Sequence, residues 1–187
     1  MGRYCHAQIL SLTFFIPDDI PDAETSDPTE VAVLSAYASE QALYHYIRWL
    51  IHRPGLALPQ SDPQFASSLQ ISSDAAAGLL RTIDVYKQTI PFIQANPAAH
   101  PCTIFITCLT PLYRTFLLKA MPATIPMLGY SAEAGIESVK QALRVLGSTS
   151  HDHADVVRRR VLQKLLTVVF GDDHVERKYL LTSDLGK

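Results

Sequence analysis

Residues 43–54 read LYHYIRWLIHRP. Leu43, Tyr46, Ile47 and Leu50 recur at helical spacing, with His45, Arg48 and His52 set between them. That pattern predicts an amphipathic helix whose polar edge carries partly exposed histidines and an arginine. Pro54-Gly55 stops it, because the residue before a proline is pushed out of helical angles. The stretch is the hinge between an irregular lead-in and a body in which every later segment reads as helix.

Upstream, Asp27-Pro28-Thr29-Glu30 opens this helix: Asp27 suits the N-cap, Pro28 the first position, and Glu30 the first turn, where the helix dipole favours an acid. Before it, Pro17 to Glu30 holds Asp18, Asp19, Asp22, Glu24, Asp27 and Glu30 with three prolines and no basic residue. The composition is that of a solvated linker; acids beside bulky apolar residues are also the make-up of an activation peptide. Ile9 to Ile16 (ILSLTFFI) is apolar but short, broken by Ser11 and Thr13, and followed by Pro17-Asp18-Asp19 rather than a small-residue cleavage site. It therefore reads poorly as a secretion signal. Residues 1–28 form the lead-in, 29–170 the helical body, and 171–187 a charged tail.

Downstream, Gly55 to Pro63 reads as a loop, and Ser61-Asp62-Pro63-Gln64 offers a second cap for a helix from Gln64 to about Thr89. Leu69, Ala76, Leu79, Leu80, Ile83 and Tyr86 supply its apolar face. Asn96-Pro97 and His100-Pro101 mark a break. Cys102 to Ala120 is apolar on nearly all sides and is expected to be the most buried helix, kinked or split at Pro111; a strand over Ile104 to Leu109 is the alternative, which its length disfavours. Pro111 and Arg114 within Thr103–Leu118, and a run short of about 20 residues, argue against a membrane span. Met121 to Tyr130 reads as a loop. Ser131 caps a helix with Ala132, Ile136, Val139, Leu143 and Leu146 on one stripe, ending at Gly147. Asp152 or Asp155 starts the last helix, with Val157, Val161, Leu165 and Val168 inward and Arg158, Arg159, Gln163 and Lys164 outward, closed by Gly171. Five helices, short loops and no alternating strands predict an all-α, irregular helical bundle.

Composition narrows the function. Apolar residues at 48% are ample for one core, and charged residues at 18% fall below the roughly one quarter typical of globular chains. A net charge of −2 gives no general attraction to nucleic acid. Cys5, Cys102 and Cys108 are too few and scattered for a disulfide framework. Cys102 and Cys108 have the wrong spacing for structural zinc and read as core thiols. His151-x-His153 beside Asp152 and Asp155 reads as a helix-start loop before it reads as a metal site. No glycine-rich phosphate loop, HExxH or G-x-S-x-G is present. Arg158-Arg159-Arg160 points in three helical directions and reads as a solvated face. No catalytic residue, metal site or cofactor is expected.

The order of motifs is nonetheless distinctive. Leu43-Tyr44-His45-Tyr46 through Ile51-His52-Arg53-Pro54 resembles a segment of the fungal-specific transcription factor domain, or middle homology region, of fungal zinc binuclear cluster regulators. There a C-x-x-A-A element follows; here Ser72 or Ser73 stands where the cysteine would be, before Asp74, Ala75, Ala76, Ala77 and Leu79-Leu80. Thr103 to Leu118 matches the apolar helix that comes next, and Ala134–Leu146 with Ala154–Leu166 the final pair. The resemblance spans about Pro28 to Val169.

It departs from the family in that cysteine, in Pro111 within the apolar helix, and in two larger ways. The DNA-reading module needs six cysteines, with pairs spaced C-x2-C-x6-C, and this chain has three in all. The half of the regulatory domain that precedes the Tyr-His-Tyr segment is also missing. The resemblance thus implies the C-terminal part of a regulatory domain, incomplete as a bundle, whether a fragment, a mis-called gene model or a short paralogue. It implies a nuclear place, no sequence-specific DNA binding by this chain, no membrane, and partners in the transcription machinery or in its own missing domain. A small-molecule effector fits such a domain, with Tyr44, His45, Arg48, His52 and Arg53 as the candidate effector or contact edge. An alternative of another class is a small helical ligand carrier or biosynthetic-cluster enzyme, in which His45, His52, Asp74, His100 and Tyr113 converge in one pocket.

Overall fold

In the computed structural model of the chain, residues 27–86, 96–120, 132–149 and 153–171 are described. They form five α-helices: α1 (Pro28–His52), α2 (Pro63–Tyr86), α3 (Pro101–Ala120), α4 (Ala132–Thr149) and α5 (His153–Phe170), with short 3-10 turns at Arg53–Ala57 and Pro97–Ala99. No strand occurs among the described residues. The all-α bundle expected from the sequence is what forms. The first 26 residues, Met121 to Ser131 with its expected loop and cap, and the tail after Gly171 lie outside the described residues.

Local chemistry sets the helix ends where it was expected to. Asp27 Oδ1 accepts from Thr29 N at 2.9 Å, and Asp62 Oδ1 accepts from Gln64 N at 2.8 Å. Each satisfies one of the orphan donors of a first turn that opens on proline. Asn96 does the same for Ala98 N at 2.9 Å, and its Nδ2 ties the turn to Ser39 O of α1. Past α1 the chain winds into the 3-10 turn instead of entering the expected loop directly. Gly171, with φ +94°, closes α5 in the left-handed conformation that glycine adopts without a Cβ penalty.

α2 lies at the centre, packed on α1, α3 and α4, while α5 closes over α3 and α4. Its Leu79, Leu80, Ile83 and Tyr86 join Ile104, Cys108 and Leu112 of α3 and Val139, Leu143 and Leu146 of α4 in the main core. α3 continues as one helix through Pro111, so the expected split does not occur; Thr115 Oγ1 donates to Pro111 O at 2.9 Å. Its 20 residues are long and apolar enough to cross a membrane, longer than the sequence suggested. Half of that window is buried in the bundle, and Arg114, 1% exposed, is held by Asp74 of α2 at 3.1 Å. That is the pattern of a core helix.

In two helices only part of the predicted apolar stripe turns inward: Tyr46 of α1 and Leu165 of α5 pack on the core, and most of the rest does not. In α5 the inward residues are Asp155, Leu162, Leu166 and Phe170, while Val157, Val161 and Val168 are exposed. The apolar residues of α5 cover more than one stripe, and the longer leucines and the phenylalanine take the core. Asp155 is buried with its carboxylate on Arg158, whose guanidinium also reaches Cys102 Sγ at 2.9 Å, so the basic triplet is only partly a solvated face.

In α1 the reversal is larger. Leu43, Ile47, Leu50 and Ile51 are 40–60% exposed, and the buried line is Ala38, Gln41, Ala42 and Trp49. Trp49 packs on Ala75 and Ala76 of α2, while Ala38 and Ala42 join its Leu79, Leu80 and Ile83 in the main core; a small residue on one side of each contact lets the two backbones come close. At Gly78 a Cβ would lie 2.4 Å from His45 Cε1. We expect Gly78→Ala to destabilise the protein in urea titrations, since overpacking of ~1–3 kcal/mol outweighs the ~1 kcal/mol gain in helix propensity. In a His45→Ala background the same substitution should stabilise instead; an equal effect in both backgrounds would show that the ring does not set the spacing.

Candidate functional site

The C-terminal half of α1 presents four different surfaces, which follow from its 100° advance per residue. His45 and Trp49 point to the core. Tyr44, Arg48 and His52 lie on one flank and Arg53 on the other, with the exposed ridge of Leu43, Ile47, Leu50 and Ile51 between. The five residues of the expected contact edge are therefore split among these surfaces.

His45 is the most perturbed of them. Burial foremost, then the charges of Arg48 and Arg81, lower its pKa from 6.5 to about 4. Its Nδ1 is buried without a hydrogen-bond partner, and Tyr44 meets the ring edge-on with centroids 5.3 Å apart. It is a neutral core histidine seated over Gly78, and the charges that act on it are the cations Arg48 and Arg81.

On the other flank an open cleft of about 210 Å³ runs between α1, the 3-10 turn and α3. Trp49 forms its floor: Nε1 donates to Thr110 Oγ1 at 2.9 Å, and Tyr46 stacks on the indole at 6.0 Å. Leu56, Ile106, Leu109 and Tyr113 supply apolar walls. The Arg53 guanidinium lies 5.1 Å from the indole centroid, a cation–π contact that leaves its N–H groups at the rim. Of the expected edge, Arg53 alone lines this cleft. Sequence reasoning missed Trp49, Leu56 and Ile106; only the tertiary pairing of α1 with α3 brings them together.

The residues that an enzyme or carrier would need do not converge. His45 sits on Gly78, Asp74 holds Arg114, and His100 accepts from Cys102 N at 3.2 Å at the start of α3. Tyr113 is thirteen positions further along α3, or ~20 Å at helical rise. Among the described residues no group of three or more His, Cys, Asp or Glu side chains is placed to hold a metal ion. Cys108 is a core thiol, pushed up to about 12 by burial.

No protein-family model matches the chain, and comparison with curated proteins and with solved structures finds no match.

The state of His45 gives a pH dependence. In the folded protein it takes a proton only near pH 4, whereas unfolded it does so near 6.5. Between these values the unfolded chain binds more protons, so stability is complete above about pH 6.5 and falls as pH drops towards 4. We expect melting curves of the His45→Gln variant to lack this component. The variant's stability difference from wild type should shrink as pH is lowered across that window; a constant difference would mean that His45 titrates normally.

Proposed function

We propose that this chain is a non-catalytic, helical regulatory domain of the kind it resembles in fungal zinc-cluster transcription factors, acting in the nucleus through protein contacts. One observation carries the reading: LYHYIRWLIHRP turns its large aliphatic residues outward. Leu43, Ile47, Leu50 and Ile51 are 40–60% exposed on successive turns of a helix whose inward face is already filled. Single exposed apolar residues are ordinary, but a contiguous ridge of them marks a contact surface. The adjoining cleft is open and apolar, and it holds only Tyr113 of the five groups that a carrier or enzyme would gather. Control in such a domain comes from a partner that binds one arrangement of the helices better than another.

The test is a reporter assay with the full chain fused to a heterologous sequence-specific DNA-binding module. The fusion should change reporter output relative to the module alone. The double variant Ile47→Glu/Leu50→Glu should abolish that change while melting close to wild type, since surface substitutions usually cost within ~0.5 kcal/mol. A fusion without effect, or a ridge variant that behaves as wild type, would overturn the proposal.

A further inference from the structure

We infer that the α1 ridge and its neighbouring cleft form a docking surface for an acidic amphipathic peptide of a partner protein, with one bulky apolar side chain anchored in the cleft. The inference rests on the regulatory reading above and names the partner's chemistry. Charge supplies the first argument. Arg48 stands on one side of the ridge and Arg53 on the other, and neither has a carboxylate within ion-pairing distance among the described residues. Three arginines elsewhere in the bundle are answered by acids: Arg114 by Asp74, Arg144 by Asp84 and Glu137, and Arg158 by Asp155. Arg81 adds a third exposed cation close to His45 on the Arg48 flank. An apolar strip bordered on both sides by guanidinium groups that no described carboxylate answers complements an apolar strip bordered by carboxylates. Glu40 of α1 is exposed at the N-terminal end of the ridge; it sets the limit beyond which the partner's acids do not extend.

Size supplies the second argument. At about 210 Å³ the cleft is smaller than the ~300–1,000 Å³ of sites that enclose a whole small molecule. It suits one side chain, as interface anchor pockets do. Outside the cleft Leu50 and Phe116 are exposed, so an apolar surface continues from the anchor point on α1 and on α3. A partner helix with apolar residues at i, i+4 and i+7 would place one in the cleft and the next two on the ridge.

The experiment is fluorescence polarisation of the full chain with three labelled peptides of about twelve residues. The first alternates Phe and Leu at helical spacing with Asp and Glu; the second replaces its acids by Lys; the third replaces its Phe by Ala. The first alone should bind, with an affinity that falls as salt is raised. Arg53→Glu and Arg48→Glu should each weaken it about tenfold, because like charges then face each other. Binding of the acidic and basic peptides alike, or binding untouched by Arg53→Glu, would overturn the inference, as would no binding at all. If peptide binding fails while the reporter effect still depends on Ile47 and Leu50, the regulatory reading stands and only the acidic partner falls. Loss of both removes both.

Discussion

The seam between α1 and α2 sets the rest of the structure. Three contacts run along it in antiparallel order: Tyr37 near Tyr86, Gln41 against Thr82, and His45 over Gly78. Each pair steps four residues up one helix and four down the other, one helical turn at a time. Ala38, Ala42, Ala75 and Ala76 fill the spaces between with the smallest side chains that still exclude water. Close approach of two backbones gains dispersion contacts along their whole length. It also leaves α2 positioned to bury Leu79, Leu80, Ile83 and Tyr86 against α3 and α4. α2 can therefore serve as the central helix because α1 demands so little width from it.

The seam is unusually polar for such a tight contact. Gln41 is 1% exposed and takes a 3.5 Å contact from Thr82 Oγ1, whose nearer acceptor is Gly78 O at 2.9 Å. Gln41 Nε2 and His45 Nδ1 are buried with no partner. Each such atom costs ~1–3 kcal/mol of lost solvation, which the surrounding apolar contacts have to offset. What these groups supply is register. Sliding α1 by one turn would bring Gln41 over Gly78 and His45 over Asp74, separating Gln41 from Thr82 and placing the imidazole where Asp74 and Arg114 are paired. Arg114 works in the same sense from α3: a guanidinium 1% exposed is tolerable only with Asp74 beside it, so the pair fixes how α3 meets α2.

The fold class and most helix starts were legible because they are written locally. Asp27-Pro28 and Asp62-Pro63 specify a cap and a first turn by side-chain chemistry alone, and length decides between helix and strand for Ile104 to Leu109. Which face of α1 turns inward was not legible from hydrophobic spacing. That reading ranks Leu43, Ile47 and Leu50 above Ala38, Ala42 and His45, and assumes that the more apolar face seeks the core. The missed signal is size: Ala38 and Ala42, four apart, leave room for Leu79, Leu80 and Ile83 of the next helix, and its Ala75 and Ala76 leave room for Trp49. In α5 the ambiguity is different, since valines and leucines occupy adjacent stripes and only the shape of the core selects Leu162, Leu166 and Phe170. The candidate cleft had no local signature at all, because Trp49 and Thr110 are 61 positions apart.

The exposed ridge follows from the same seam. Rotating α1 by half a turn would bury Leu43, Ile47, Leu50 and Ile51, a gain of about 1.5–3 kcal/mol for each side chain fully buried. Those side chains would then meet Ala75, Ala76 and Gly78 at a separation that leaves no room even for a methyl group at Gly78. The helices would have to move apart, opening the core beneath α2. The rotation would also carry Trp49 out of the main core boundary and break its hydrogen bond to Thr110. With the large residues unable to go inward, the outward face of α1 stays apolar for as long as the seam holds. Selection against aggregation usually removes such a face; here the residues that would relieve it are the ones that the seam pushes outward, so what remains is a surface suited to being covered by something other than this bundle.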